Sequence, residues 1–164
     1  MTHSVRFGLI GAGGIAQSHA QAFRASELAD VVCVVDSRAE AAAALAENLE
    51  CSSFTHYEDV LPTTAVDAVL ICTPPSTHAE IARHFLQAGV PVLCEKPVAP
   101  TLEDATSMIE CAQHSNVLFT MASKFRYVED VIRAKSIVAS GILGEIVLFE
   151  NAFTAHVDMS QRWN

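Results

Sequence analysis

The feature that most constrains this chain is a glycine-rich turn near its amino terminus. Gly11-Ala12-Gly13-Gly14-Ile15-Ala16 follows an apolar run, Val5–Ile10, and opens a segment with helical periodicity. Gly11 would make a tight turn, Gly13 would let a pyrophosphate approach the backbone, and the small Ala16 would let the helix pack closely on the strand. Free N–H groups and the positive end of the helix dipole would then face the phosphates. The pattern predicts a dinucleotide-binding turn.

An acidic residue stands where such a turn needs one. Asp36 ends the second apolar run, in Val34-Val35-Asp36. A carboxylate there can accept hydrogen bonds from both hydroxyls of an adenosine ribose, and it repels a 2′-phosphate, which favours NAD over NADP. Arg38 leaves an alternative open, because its guanidinium could meet a 2′-phosphate or stack on adenine.

Apolar runs alternate with helical segments along the chain. Runs that are apolar on both faces indicate strands covered on both sides, and such strands alternating with helices of roughly 10–15 residues indicate a parallel sheet. We therefore predict an α/β, doubly wound Rossmann fold. The predicted strands are residues 5–10, 31–35, 51–55, 66–72, 90–94 and 117–121; the predicted helices are residues 15–24, 39–49, 58–61, 77–89 (opened by a Thr77–Glu80 capping box), 101–114 and 128–140.

Composition excludes several classes of function. The net charge of −9 argues against a nucleic-acid partner. The apolar runs are too short for a membrane span, and no secretory signal is visible, so we expect a cytoplasmic protein without membrane contact. The five cysteines form no CxxC pair and indicate buried reduced thiols. The seven histidines lack metal-ligand spacing, so we expect no metal.

Two further segments follow strands and are candidates for the same crevice. Cys72-Thr73-Pro74-Pro75-Ser76-Thr77-His78 follows the fourth predicted strand, which lies beside the first in a doubly wound sheet. Its two prolines would make a rigid loop flanking a cofactor. His78 could serve catalysis or simply local packing.

Glu95-Lys96-Pro97 follows the fifth predicted strand. A Lys-Pro pair after a strand can be merely a loop. Alternatively, a lysine at the carboxyl edge of the sheet can polarise or deprotonate a substrate hydroxyl beside the nicotinamide. Position in the fold favours the second interpretation.

Together these motifs resemble a known family. Residues 8–16, 72–80 and 94–97, and the later Gly141-Ile142-Leu143-Gly144-Glu145-Ile146, are similar to the Gfo/Idh/MocA oxidoreductases, which include glucose–fructose oxidoreductase and inositol dehydrogenase. The resemblance spans nearly the whole chain. It implies an amino-terminal Rossmann domain, a carboxyl-terminal domain built on an open sheet, and hydride transfer between nicotinamide and a sugar, polyol or related substrate.

The resemblance also implies roles for individual residues. Lys96 would be the catalytic lysine, and Glu95 would approach the nicotinamide-side ribose. Lys124 and Arg126 stand near an Arg-Phe pair of the family, whereas His156 comes too early to replace its catalytic histidine. The remaining implied cofactor contacts are Gly11, Gly13, Gly14, Ile15, Ala16, Asp36, Arg38, Thr73, Pro74, Pro75 and His78.

The chain is shorter than the family pattern. We expect a dinucleotide-binding domain over residues 1–122, and over 123–164 a connecting helix and the first strand, residues 145–153, of a truncated second domain. An unpaired strand there would encourage association into a homo-oligomer. We expect residues 1–164 alone to turn over sugars poorly or not at all. The alternatives are a non-catalytic nucleotide-binding regulator and an inactive fragment.

Overall fold

Strands and helices alternate in a computed structural model of the chain, which describes residues 4–152 and 154. The strands are β1 (Val5–Ile10), β2 (Ala29–Val35), β3 (Ser52–Phe54), β4 (Ala68–Ile71), β5 (Val92–Cys94) and β6 (Phe119–Met121). The helices are α1 (Gly14–Arg24), α2 (Ala39–Leu49), α3 (Val60–Thr63), α4 (His78–Gln87), α5 (Leu102–Ser115) and α6 (Glu129–Ala139). Each predicted strand up to residue 121 is present, although most are shorter than predicted.

The strands form one parallel sheet in the order β3-β2-β1-β4-β5-β6. At the end of β1, Ile10 lies opposite Val35 of β2 and Ile71 of β4. The chain order reverses between β1 and β4, which makes the carboxyl ends of these two strands the point where a doubly wound sheet binds its ligand. The predicted fold class is confirmed.

Apolar side chains cover both faces of the sheet. Leu9 and Leu70 belong to one buried cluster, whereas their neighbours Ile10 and Ile71 belong to another. Successive side chains of a strand point to opposite faces, so this division shows that β1 and β4 are buried on both sides. That is why these strands are apolar throughout, and why the polar groups of the site lie in the loops beyond them.

Two sequence predictions are wrong in detail. Residues 145–152 form no strand, since none of them takes part in the six-stranded sheet; Phe153 lies outside the described residues. The capping box at Thr77 is also absent from the described structure. The Thr77 hydroxyl donates to the carbonyl of Pro74 and lies 2.8 Å from Oγ1 of Thr73, and it accepts no backbone N–H of α4. A cap does form at Thr101, where the predicted helix over residues 101–114 begins, since its hydroxyl accepts the N–H of Asp104.

The chain divides into two compact units, Met1–Ser123 and Lys124–Asn164. The first contains the whole sheet with α1 to α5, and the second contains α6. The assignment of residues 123–164 to a second domain stays a prediction. Within the described residues, no helix is both long and apolar enough to cross a membrane.

Candidate dinucleotide-binding site

The glycine turn closes tightly against the start of the loop after β4. Gly11 has φ +101°, a conformation that side chains disfavour, and a Cβ there would lie 2.8 Å from the carbonyl carbon of Cys72. A Cβ on Gly13 or Gly14 would meet nothing within 4 Å. Gly11 is therefore required by the fold, whereas Gly13 and Gly14 leave open space above the backbone.

The amino terminus of α1 opens beside this space. Gly13 is the N-cap and supplies no side chain to the first N–H groups, and the first turn contains no acidic residue. These donors and the positive end of the helix dipole are consequently available to an anion.

Asp36 ties the glycine turn to the loop after β2. Its Oδ2 accepts the N–H of Ala12 at 2.9 Å, and its Oδ1 accepts the N–H of Arg38 at 2.9 Å. The Arg38 guanidinium adds a contact of 3.4 Å between Nε and Oδ1. Burial opposes ionisation of Asp36, but these donors outweigh it, so the pKa of Asp36 is lowered. The carboxylate is held ionised while Oδ2 keeps a free lone pair.

A cleft of about 640 Å³ lies over the carboxyl ends of the strands. Its walls come from the glycine turn and from the loops that follow β2, β3 and β4. Six of the predicted cofactor residues line it, namely Gly11, Gly13, Asp36, Arg38, Thr73 and Pro74.

The other predicted residues lie around this cleft. Gly14 and Ile15 are exposed at the start of α1, Ala16 is buried beneath them, and Pro75 is half-buried. Glu95 is buried and Lys96 is exposed, both directly after β5. Lys124 and Arg126 belong to the second unit, and His156 lies outside the described residues.

His78 lies behind the wall of the cleft, with no exposed surface. Its Nε2 is 2.9 Å from the carbonyl oxygen of Thr73, and its Nδ1 is 3.1 Å from that of Pro97 and 3.3 Å from that of Val98. The ring therefore connects the loop after β4 to the loop after β5. In this position it packs against backbone and does not face the cleft.

Glu95 and Lys96 occupy contrasting environments although they are adjacent. The Glu95 carboxylate accepts the N–H of Lys96 at 2.9 Å and lies 2.9 Å from Nε2 of His19 in α1. The Lys96 side chain points into solvent at the same edge of the sheet. The helical pattern alone gave no reason to assign His19 a polar partner.

A further hydrogen bond, which no sequence motif indicates, crosses the cleft. Tyr57, in the loop after β3, donates its hydroxyl to Oε1 of Glu80 in α4, and both residues line the cleft. Burial and the neighbouring carboxylates raise the pKa of Tyr57. The sheet topology could have predicted the position of this loop, because the loop after each parallel strand lies at the carboxyl edge of the sheet.

The cysteines do not supply a nucleophile to the site. All five thiols are free, and burial raises the pKa of Cys72 and Cys94 to about 12, with a further contribution from Glu95. Both therefore stay protonated at neutral pH. Among the described residues, no group of three or more potential ligands could hold a metal ion.

Comparison with known proteins identifies the family. A family model described as an oxidoreductase family with an NAD-binding Rossmann fold matches residues 5–123. The chain belongs to the Gfo/Idh/MocA oxidoreductase family. The resemblance inferred from the motifs is thereby confirmed.

Three relatives illustrate how far the Gfo/Idh/MocA likeness extends. Inositol 2-dehydrogenase of Corynebacterium glutamicum is 33% identical over 155 residues, covering 90% of this chain and 45% of the relative. The rhizopine catabolism protein MocA of Rhizobium meliloti is 32% identical, covering 87% of this chain and 45% of the relative. The WlbA dehydrogenase of Bordetella pertussis, solved with NADH and UDP-GlcNAcA, matches with a TM-score of 0.83 and 28% identity over 87% of this chain and 41% of that one. The chain thus spans less than half the length of these relatives.

Proposed function

We propose that the cleft binds NAD(H) in preference to NADP(H). We further propose that the protein transfers a hydride between the nicotinamide and a CH–OH carbon of a sugar, polyol or related substrate. The observation that carries the proposal is the glycine turn, which combines an enforced Gly11, open space above Gly13 and Gly14, and an uncapped helix.

The residues present fit a dinucleotide. A pyrophosphate needs N–H donors and room for close approach, and the open space above Gly13 and Gly14 provides that room beside the first turn of α1. A ribose needs an ionised acceptor, which Asp36 provides at the end of β2.

Asp36 also supports the preference for NAD. Its ionised carboxylate would repel a 2′-phosphate. Arg38, the group that could attract such a phosphate, is drawn to Asp36 instead, with Nε 3.4 Å from Oδ1. The positive charge of a guanidinium that already faces a carboxylate is partly neutralised, which weakens its attraction for a second anion.

Lys96 is the proposed catalytic residue. Bound nicotinamide would supply the hydride donor or acceptor. Lys96, exposed after β5, would hold or release the hydroxyl proton at Nζ, while Glu95 fixes the backbone at the base of this side chain. Pro74 and Thr73 would exclude water from one side of the cleft.

The relatives support the substrate class. The most informative ones are named for inositol and rhizopine, and WlbA was solved with a nucleotide sugar. A polyhydroxylated ring is the chemistry that these names share. Free thiols at all five cysteines support a reducing, cytoplasmic location. We also propose that the protein forms a homo-oligomer.

Direct titration of the chain with NADH and NADPH tests the cofactor assignment. We expect tighter binding of NADH, and we expect Asp36→Ala to reduce that preference about 10-fold or more. Asp130→Ala, which removes an exposed carboxylate of α6, is the matched control and should leave both affinities unchanged. Preference for NADPH would overturn the assignment to NAD, and a folded chain that binds neither cofactor would overturn the proposed function.

Turnover of inositols and sugars by a protein containing this chain tests the enzymatic proposal. Lys96→Ala should lower kcat by about 10²–10⁴-fold while NADH binding persists. Lys135→Ala, on α6, is the lysine control. Turnover that survives Lys96→Ala would remove Lys96 from the chemistry, and cofactor binding without any turnover would favour a regulatory nucleotide-binding protein.

A further inference from the structure

One hydrogen bond joins two parts of the site that are distant in sequence. His19, in the second turn of α1, places Nε2 2.9 Å from Oε1 of Glu95. Only 24% of the His19 side chain and 9% of the Glu95 side chain are exposed. Because water has little access to either partner, this bond is stronger than one on the surface.

The sheet order shows what this bond spans. β4 lies between β1, which leads into the glycine turn and α1, and β5, which leads into Glu95. In the sheet as described, β1 pairs with β2 and β4 but not with β5. The His19–Glu95 bond therefore provides a direct side-chain connection between the helix of the glycine turn and the loop that carries Lys96.

Glu95 passes this constraint to its neighbour. Its second oxygen, Oε2, accepts the backbone N–H of Lys96 at 2.9 Å. One carboxylate is thus fixed from two directions, by α1 and by the loop. A buried carboxylate that loses a donor must find a replacement, so removing His19 would release Glu95 and the Lys96 backbone with it.

We propose that His19 is a positioning residue that acts through Glu95. Its hydrogen bond sets the loop bearing Lys96 relative to the glycine turn, so that the two ends of the cofactor site keep their spacing. His19 is absent from the lining of the cleft, and its effect on binding is therefore indirect. This inference rests on the proposed function, because the spacing matters only if a dinucleotide bridges both ends.

A double-mutant cycle on NADH affinity tests the proposal in the 164-residue chain. His19→Asn shortens the side chain and breaks the bond. His19→Gln keeps an N–H donor on a side chain longer than that of asparagine, and Glu95→Ala removes the acceptor. We expect His19→Asn to weaken binding about 10-fold and His19→Gln about 3-fold or less. If His19 acts through Glu95, His19→Asn should cause no further loss in the Glu95→Ala background. His114→Asn, an exposed helical histidine of α5, is the control.

The outcomes separate the two proposals. A folded wild-type chain that does not bind NADH refutes the proposed function, and this inference with it. If wild type binds but the effects of His19→Asn and Glu95→Ala simply add, His19 does not act through Glu95. The same conclusion follows if His19→Gln binds as weakly as His19→Asn.

Amide hydrogen exchange at Lys96 gives a second measurement that needs no cofactor. We expect exchange about 10-fold faster in His19→Asn than in wild type, because the acceptor of this N–H is no longer held. If His19→Asn does not fold, His19→Gln and Glu95→Ala still decide the question. The Lys96 N–H should exchange at the wild-type rate in His19→Gln and faster than the wild-type rate in Glu95→Ala. Unchanged exchange in Glu95→Ala would refute the coupling.

Discussion

The polar side chains that support the cleft differ between the β1–β2 side and the β4–β5 side of the sheet edge. On the β1–β2 side, one carboxylate both braces the glycine turn and faces the cleft, since Asp36 lines it while accepting the N–H of Ala12. On the β4–β5 side, the supporting side chains are buried and do not line the cleft. His78 is fully buried and contacts the loops after β4 and β5, and Glu95 is 7% exposed and contacts His19 of α1 and the N–H of Lys96.

This difference separates two tasks that polar residues perform after a strand. A side chain that is partly exposed can brace the loop and contact a ligand together. A side chain that is buried can only brace the loop, so the neighbours that remain accessible to a ligand are the partly exposed Thr73 and the exposed Lys96. Substitution of a side chain that lines the cleft on the first side should therefore change binding more than stability, and substitution of the fully buried His78 on the second side should do the reverse.

The largest expected effect comes from the glycine turn, where two neighbouring glycines should respond in opposite ways. Gly11→Ala places a Cβ 2.8 Å from the Cys72 carbonyl carbon at φ +101°, so we expect unfolding free energy to fall by about 2–4 kcal/mol. Gly13→Ala meets no atom within 4 Å and has φ −72°, so stability should change by only about 0.5 kcal/mol.

Denaturant unfolding combined with NADH titration checks this pair. Gly13→Ala should nevertheless weaken NADH binding about 10-fold or more, because its methyl group occupies the space left for a phosphate. Equal stabilities for the two variants would contradict the close approach at Gly11. Unchanged binding by Gly13→Ala would contradict the phosphate position.

His78 should show the opposite behaviour from a cleft residue. His78→Phe fills similar volume but removes the ring N–H, whether that proton is on Nε2 facing the carbonyl of Thr73 or on Nδ1 facing those of Pro97 and Val98, so we expect a loss of about 2–3 kcal/mol in unfolding free energy. His56→Phe, at an exposed position lining the cleft, is the matched control and should change stability by less than about 0.5 kcal/mol. Similar losses in both variants, measured by denaturant unfolding, would remove the distinction between the halves.

The sequence predicted one half of this site better than the other. Gly11, Gly13 and Asp36 follow from a motif whose spacing encodes geometry, and the structure brings all three to one cleft. His78 was a candidate because its loop follows the fourth strand, with catalysis and packing both left open, and the role of Glu95 was implied only by resemblance. Nothing in their spacing distinguished contact with a ligand from support behind it. Burial depends on how α4 and the loops pack, which is a tertiary property.

The fold was predictable for a related reason. Strands buried on both faces carry their pattern locally, so Val5–Ile10 was predicted to the residue. Partners distant in sequence were not predictable, because neither His19 with Glu95 nor Tyr57 with Glu80 leaves a periodic signal. The capping box at Thr77 was wrong for the same reason, since Glu80 meets Tyr57 instead.

Acid should weaken the β1–β2 side first through Asp36. Its pKa is lower in the folded chain than in the unfolded chain, so its contribution is complete above the unfolded pKa of about 4 and is lost as pH falls through the folded value. Asp36→Asn should remove this contribution, about 1 kcal/mol at neutral pH, and flatten the acid limb of stability against pH. Thermal unfolding between about pH 3 and pH 7 checks this. An unchanged acid limb would show that the N–H donors of Ala12 and Arg38 do not favour the ionised form.

The smallest expected effect tests a side-chain hydrogen bond between the two halves at the rim of the cleft, from Tyr57 to Glu80. Tyr57→Phe removes the hydroxyl that binds Glu80, and because Glu80 is exposed and regains water, the loss should be about 0.5–1 kcal/mol. The pKa of Tyr57 is raised in the folded chain, so its stabilising contribution holds below the unfolded value of about 10 and declines as pH rises beyond it. Wild type should therefore lose its advantage over Tyr57→Phe in alkali. Phenolate absorbance and unfolding, measured together on both proteins, would detect this convergence. A constant difference at all pH values would mean that ionisation of the phenol does not alter its contribution, and that the hydrogen bond to Glu80 is not what stabilises the folded chain.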